Sequence, residues 1–212
     1  MLANQGLGPW IIFTAVMLFG ALHSTLASLR IKRMVRRLFG PTADRVYRLA
    51  FNLAAGLGLL PVLALVRYMP DRHLYTIPFP WTLLTLAVQA LAILILIAGV
   101  LQTGLWSFLG LRQLVDREDD GRPELVVRGL YRWVRHPLYT AGLILIWLVP
   151  GMTFNLLALN LGLTVYILAG AILEERKLSA EFGEAYSRYK QRTPMLITRP
   201  FRRAEEERAP GD

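Results

Sequence analysis

The sequence predicts an all-α integral membrane protein, with about five transmembrane helices and a C-terminal cytoplasmic amphipathic helix. Three observations predict it. Of 212 residues, 54% are hydrophobic and only 18% are charged, against roughly a quarter charged in a soluble domain. The apolar residues gather in long runs, most of them near the roughly 20 residues that a helix of 1.5 Å rise needs to cross a bilayer. The basic residues stand in blocks between those runs.

The first run extends from about Pro9 to Leu29, the second from Val46 to Met69 and the third from Pro80 to Thr103. No charged segment precedes the first, and no small-x-small cleavage site follows it, so it reads as a retained helix. A fourth run, Pro137 to Val149, is short and ends at Pro150-Gly151. It spans only if it begins near Tyr131 or if the bilayer is locally thin. The fifth runs from Met152 to Leu173. The brief turn at Pro150-Gly151 predicts an antiparallel hairpin of the fourth and fifth helices.

Between the first and second runs lie Arg30, Lys32, Arg33, Arg36, Arg37, Arg45 and Arg48. The stretch before the fourth and the C-terminal segment are also rich in Arg and Lys. The opposite side offers little beyond Arg67 and Arg72. Basic loops stay in the cytoplasm, which places the N-terminus outside and the C-terminus inside a bacterial inner membrane. An odd number of spans follows. Trp10, Tyr68, Tyr75 and Trp81 fall at the expected outer boundary, as interfacial aromatics do.

After the fifth run, charged residues alternate with Leu178, Phe182, Tyr186 and Tyr189. That spacing places the four on one face of an amphipathic helix, Glu174 to Arg192, positioned to continue the fifth span. From Arg202 to Asp212 the chain reads as a disordered tail. The organisation is thus an N-terminal three-helix region with its loop (1–128), a helical hairpin plus amphipathic helix (129–198) and the tail (199–212).

The formal charge of +9 suits anionic membrane lipid as a partner. Nucleic acid is not expected, since a phosphate-tracking surface needs a soluble face that is scarce here. The absence of cysteine excludes disulfides and thiolate metal sites. Oligomeric state leaves no mark in the sequence.

Three clusters bring polar groups to the expected inner boundary. In Gly129-Leu-Tyr131-Arg-Trp133-Val-Arg135-His136-Pro137-Leu-Tyr139, Pro137 suits the first position of a helix. His136 then sits at the cap, beside free backbone N–H groups that favour an anion, and Arg135 adds a bidentate partner. The plainer reading is that Arg135 and His136 mark the end of a span. Glu174 and Glu175 follow an apolar run directly, where carboxylates are costly without partners. About 100° apart on a helix, they are not expected to face one partner together. They also read as the start of a solvated extension. His23-Ser24, with Tyr47, Arg48 and Asn52, forms the third cluster. There Asn52 also reads as an ordinary interhelical hydrogen-bonding residue.

Arg135-His136-Pro137-x-Tyr139, followed by Glu174-Glu175-x-x-Leu178-x-x-x-Phe182-Gly183-x-x-Tyr186-x-x-Tyr189, resembles the isoprenylcysteine carboxyl methyltransferase and phospholipid methyltransferase superfamily over residues 129–197. The first half is similar to the NnrU and methanethiol S-methyltransferase branch at His23-Ser24, Tyr47-Arg48-Leu49, Phe51-Asn52 and Leu60-Pro61. The resemblance implies S-adenosylmethionine as cofactor, held at the cytoplasmic end of the last helices. Carried over by position, His136 and Tyr139 contact it, Glu175 or Glu174 holds its amino or ribose groups, and Tyr131, Tyr186 and Tyr189 complete the pocket. Arg135, His23 and Asn52 are the residues expected to serve catalysis. A sulfonium methyl is already electrophilic, so positioning and exclusion of water carry much of the rate.

The expected activity is methyl transfer to a small or lipophilic acceptor. A thiol is slightly preferred over an isoprenylcysteine carboxylate or a lipid amine, on the similarity of the first half to the methanethiol S-methyltransferase branch; a nearby Arg or His would favour the thiolate. The alternative is a non-catalytic accessory or transport protein of a redox or respiratory system. Haem ligation by His23, His73 and His136 is not expected, because His73 falls on the opposite side of the membrane from His136.

Overall fold

A computed structural model describes residues 6–40, 42–103 and 125–197. Six α-helices are seen among them: α1 (Leu7–Leu26), α2 (Leu29–Phe39), α3 (Thr42–Tyr68), α4 (Trp81–Thr103), α5 (Pro137–Trp147) and α6 (Phe154–Arg192). Two short strands, β1 (His73–Thr76) and β2 (Gly151–Thr153), complete the described elements, with a 3₁₀ turn at Gly129–Arg132 before α5. The expected disordered tail lies outside the described residues.

Among the described residues, four helices (α1, α3, α4 and α6) are long and apolar enough to cross a membrane. The chain is an all-α integral membrane protein with a small sheet at one end. The fourth expected span differs from the others. As α5 it has 11 residues, which rise about 16 Å, roughly half of a bilayer's hydrocarbon layer. His136 occupies its N-cap position and Pro137 its first turn, so its start is fixed by sequence. Gln89 of α4 donates to the Leu145 carbonyl (2.8 Å), and Leu138 packs where Gly99 has no side chain. The short helix is thereby held against a long one.

α1 and α6 run parallel, which their matched contacts show. Gly8 lies against Asn155, Val16 against Gly162 and Gly20 against Tyr166. A Cβ at Gly162 would come within 2.8 Å of Val16 Cγ1, so the small residue permits close approach, as interfaces between membrane helices require. Ile12, Val16, Val62, Ala158 and Leu159 form the buried core between α1, α3 and α6. Many leucines of α3 and α4 remain exposed. Lipid makes such exposure favourable, because chain and solvent are equally apolar.

The turn at Pro150-Gly151 does more than join two helices. β2 pairs antiparallel with β1, with Thr76 opposite Gly151 and Tyr75 opposite Met152. Ile77 N–H donates to Pro150 O (2.7 Å) and Phe154 N–H to Arg72 O (3.0 Å). Asn155, fully buried, donates through its side chain to Met69 O and Pro70 O, while its backbone N–H reaches Asp71. Trp10, Tyr68, Tyr75 and Trp81 are exposed near this end, where interfacial anchors were expected.

The basic stretch after α1 is itself helical. Ser28 caps α2 by accepting from Ile31 N–H, and the helix is strongly two-faced, with Arg30, Arg33 and Arg37 among its cations. Such a helix suits the headgroup layer. Its form went unforeseen because its apolar residues are too few to make a run.

A candidate cofactor site between the start of α5 and the charged extension of α6

The apolar part of α6 ends at Leu173, and a charged extension continues to Arg192 across a kink at Gly183. At Gly183 the backbone turns to φ 52°, ψ −122°, a conformation that side chains with a Cβ rarely adopt. The bend redirects the last turns so that Tyr186 and Tyr189 fold back towards the start of α5.

Glu175 is the hub of what they meet, and its side chain is only 8% exposed. Arg135 binds it in bidentate fashion, Nε to Oε1 at 2.7 Å and Nη2 to Oε2 at 3.0 Å. His136 Nε2 lies 3.0 Å from Oε1, and the Tyr186 hydroxyl donates to the same oxygen at 2.8 Å. Lys190 Nζ stands 3.4 Å from Oε2. Burial by itself raises the Glu175 carboxyl. Hydrogen bonds from Arg135, Tyr186 and His136 outweigh it and hold the group at about 2.

Arg135 also closes the end of α6. Its Nη1 donates to the carbonyls of Lys190 (3.2 Å) and Thr193, which satisfies helix-terminal acceptors with a cation. The chain beyond then crosses the α5 cap: Arg135 N–H donates to Pro194 O, His136 N–H to Met195 O and the Thr140 hydroxyl to Leu196 O. The Tyr189 hydroxyl donates to Tyr131 O. A rigid collar results.

Inside the collar is a cavity of about 250 Å³. Its walls include Tyr131, Tyr139, Phe182, Tyr186 and Tyr189, with Glu174, Arg135 and His136. His136 stacks on Tyr139 (ring centroids 5.4 Å, 18° between planes). Glu174 lies 3.6 Å from His136 Nδ1 and leaves 45% of its side chain exposed.

The structure thus gathers Arg135, His136, Tyr139, Glu174, Glu175, Tyr131, Tyr186 and Tyr189 in one place. The two glutamates do share a partner, contrary to the expectation from their 100° separation. An imidazole has nitrogens on two edges, and each edge takes one carboxylate. Glu175 is engaged by donors of the chain itself, and Glu174 is the carboxylate that lines the cavity. Lys190 and the 193–196 segment had no signal in the sequence beyond their proximity to the motif.

His23 and Asn52 are not among the residues lining this cavity. The structure does not bring them to it. His23 Nδ1 lies 2.6 Å from the Tyr166 hydroxyl, and Tyr166 is nine residues before Glu175, about 13 Å along α6. The Tyr47 hydroxyl donates to Leu26 O. Asn52 is half-buried on α3. His73 lies on β1, at the sheet end.

Residues 11–201 match the family model described as NnrU protein. The chain belongs to the NnrU family. Other relatives place it more finely within NnrU-like chains. A methanethiol S-methyltransferase of a Pseudomonas species is 33% identical over 86% of the chain and 70% of its own length. One of Mycobacterium tuberculosis is 30% identical over 92% of the chain and 81% of its own. Methanethiol S-methyltransferase 2 of Bradyrhizobium diazoefficiens is 45% identical, but over 38% of the chain and only 32% of its own length. The first two of these names, which cover most of the chain, are consistent with a methyltransferase. No solved structure matches.

Proposed function

We propose that this NnrU-family chain transfers a methyl group from S-adenosylmethionine to a small thiol, within the bacterial inner membrane and with the C-terminus in the cytoplasm. The single observation that carries the reading is the aromatic cavity with a half-exposed carboxylate, Glu174, on its wall at the start of α5 and the charged extension of α6.

The residues fit the chemistry of that donor. Aromatic rings offer their negative faces to a sulfonium and their flat surfaces to a purine. Glu174 suits an ammonium or ribose hydroxyls, through charge-assisted hydrogen bonds. The N-terminus of α5, where no side chain caps the free N–H groups, suits a carboxylate. Bound there, the donor supplies an activated methyl on a positive sulfur.

The protein's own contribution is to position and to exclude water. Glu175 accepts from Arg135, His136 and Tyr186, which locks the rings around the cavity before any ligand arrives. Such preorganisation lowers the ordering cost on binding. A fixed, dry approach of two reactants accounts for roughly 7–11 kcal/mol of a barrier, so no covalent intermediate on the chain is required.

The test is calorimetric titration of the detergent-purified protein with S-adenosylhomocysteine, followed by transfer of labelled methyl to methanethiol. Binding that is weakened in Glu174→Gln supports the reading. No heat with the unaltered protein removes it and leaves the accessory-protein alternative.

A further inference from the structure

The sheet end of the bundle, where α6 begins, holds a second hollow. α1 and α6 start there at one level, Gly8 against Asn155. Beside that contact the two helices border a cavity of about 340 Å³. Pro9, Trp10 and Phe13 wall it from α1, and Phe154, Leu157 and Leu161 from α6. Apart from the Trp10 indole N–H, these side chains carry no polar group. From Phe154 to Leu161 the helix rises about 10 Å, so the groove runs from the sheet end into the span. Lipid tails are as apolar as such walls, and the charge at its mouth therefore decides which lipid it prefers.

Arg72 supplies that charge. Its carbonyl accepts from Phe154 N–H (3.0 Å), and its guanidinium carbon stands 5.7 Å from the centre of the Phe154 ring. Phe154 thus belongs to the groove and to the cation at once. Asp71 is next in the chain, but its Oδ1 accepts from the backbone N–H groups of Arg72 (2.8 Å) and Asn155 (3.0 Å). Among the described residues no carboxylate forms an ion pair with the Arg72 guanidinium. Trp10, 71% exposed on the opposite wall, has the amphipathic ring that settles at headgroup level.

We propose that this groove binds one acyl chain of an anionic phospholipid whose phosphate pairs with Arg72. A guanidinium matches phosphate with two parallel N–H donors. The chain below the headgroup then lies along Phe13, Leu157 and Leu161. A second copy of the protein is the other apolar occupant such a face could take. Two-fold pairing presents the same patch from both subunits, which at one membrane depth brings two Arg72 cations together. The lipid neutralises that charge; the second copy doubles it. The site is independent of methyl transfer.

The test uses the full chain, delipidated in detergent and titrated with phosphatidylglycerol or phosphatidylcholine of identical acyl chains. Native mass spectrometry reads the bound lipid, for the unaltered protein and for Arg72→Gln and Leu161→Trp. One cation near a membrane surface is worth about fivefold in affinity for anionic lipid. Arg72→Gln should therefore weaken phosphatidylglycerol about fivefold and leave phosphatidylcholine within about twofold. Leu161→Trp, which fills the groove, should weaken both. Unfolding temperature in lipid-free detergent reports whether each variant folds. Arg72 is exposed and leaves the groove intact when changed, so its effect decides the point even where Leu161→Trp is unstable.

Equal retention of the two lipids by the unaltered protein overturns the proposal. So does a preference that survives in Arg72→Gln, which would belong to cations elsewhere, such as those of α2. A dimer of the unaltered chain that Leu161→Trp separates would give the groove to a second copy and overturn it as well.

Discussion

Arg135 and Glu175 form a bidentate ion pair, at 2.7 and 3.0 Å, that ties the start of α5 to the charged extension of α6. Both side chains are almost fully buried, 9% and 8% exposed. Arg135 directs Nη1 to the carbonyls that end α6. The pair is therefore a joint between two helices, around which the cavity is arranged.

Breaking that joint from one side should be severe. Arg135→Met leaves Glu175 with less compensation for its charge, and loss of one member of a buried pair costs about 3–5 kcal/mol. The double variant Arg135→Met/Glu175→Met should be more stable than the sum of the single losses predicts. Thermal unfolding in detergent, on all three variants, checks both statements. Strict additivity would show that the residues act independently.

The two glutamates should separate in their effects. Glu175→Gln should lower the unfolding temperature, because it weakens the hub that holds three side chains. Glu174→Gln should leave that temperature near its original value and weaken S-adenosylhomocysteine binding by about tenfold, which is about 1.4 kcal/mol. The reverse pattern would assign the ligand contact to Glu175.

The hub should also make the protein acid-sensitive. Glu175 is held at about 2 against an ordinary 4.5, so between those values the unfolded chain binds the proton and the native one does not. Its stabilising contribution is fully present above about pH 4.5 and fades as pH falls towards 2. Unfolding temperature against pH should show this decline, and Glu175→Gln should flatten it.

Gly183 should tolerate no side chain. Nothing lies within 4 Å of where its Cβ would be, so the cost of Gly183→Ala is conformational, about 1–3 kcal/mol. Relaxation to ordinary helix would point Tyr186 and Tyr189 away from Glu175 and Tyr131. Lower stability together with weaker S-adenosylhomocysteine binding is expected.

The proposed orientation has a direct readout, because the chain has no cysteine of its own. Leu74→Cys in β1 should react with an impermeant maleimide added to intact cells. Ser187→Cys in α6 should react only after the membrane is opened. The opposite labelling would invert the topology.

By itself the sequence determined the membrane class, the long spans and the two motifs. Each is a local property: a run long enough to cross lipid, a proline at a helix start, carboxylates just past an apolar stretch. Spacing even indicated that Tyr186 and Tyr189 share a face. Tertiary structure alone decided what those groups touch. Periodicity assumes an ideal helix, so it could not foresee the bend at Gly183, nor that Glu175 would be surrounded by donors of its own chain while Glu174 faced the cavity. Tyr166 lay hidden in an apolar run, as any residue must when its partner is 143 positions away. The strand at Gly151 was equally hidden, since a three-residue strand takes its identity from the neighbour that hydrogen-bonds it. Local propensity is written along the chain, but partnership is set only when packing brings distant segments within hydrogen-bonding range.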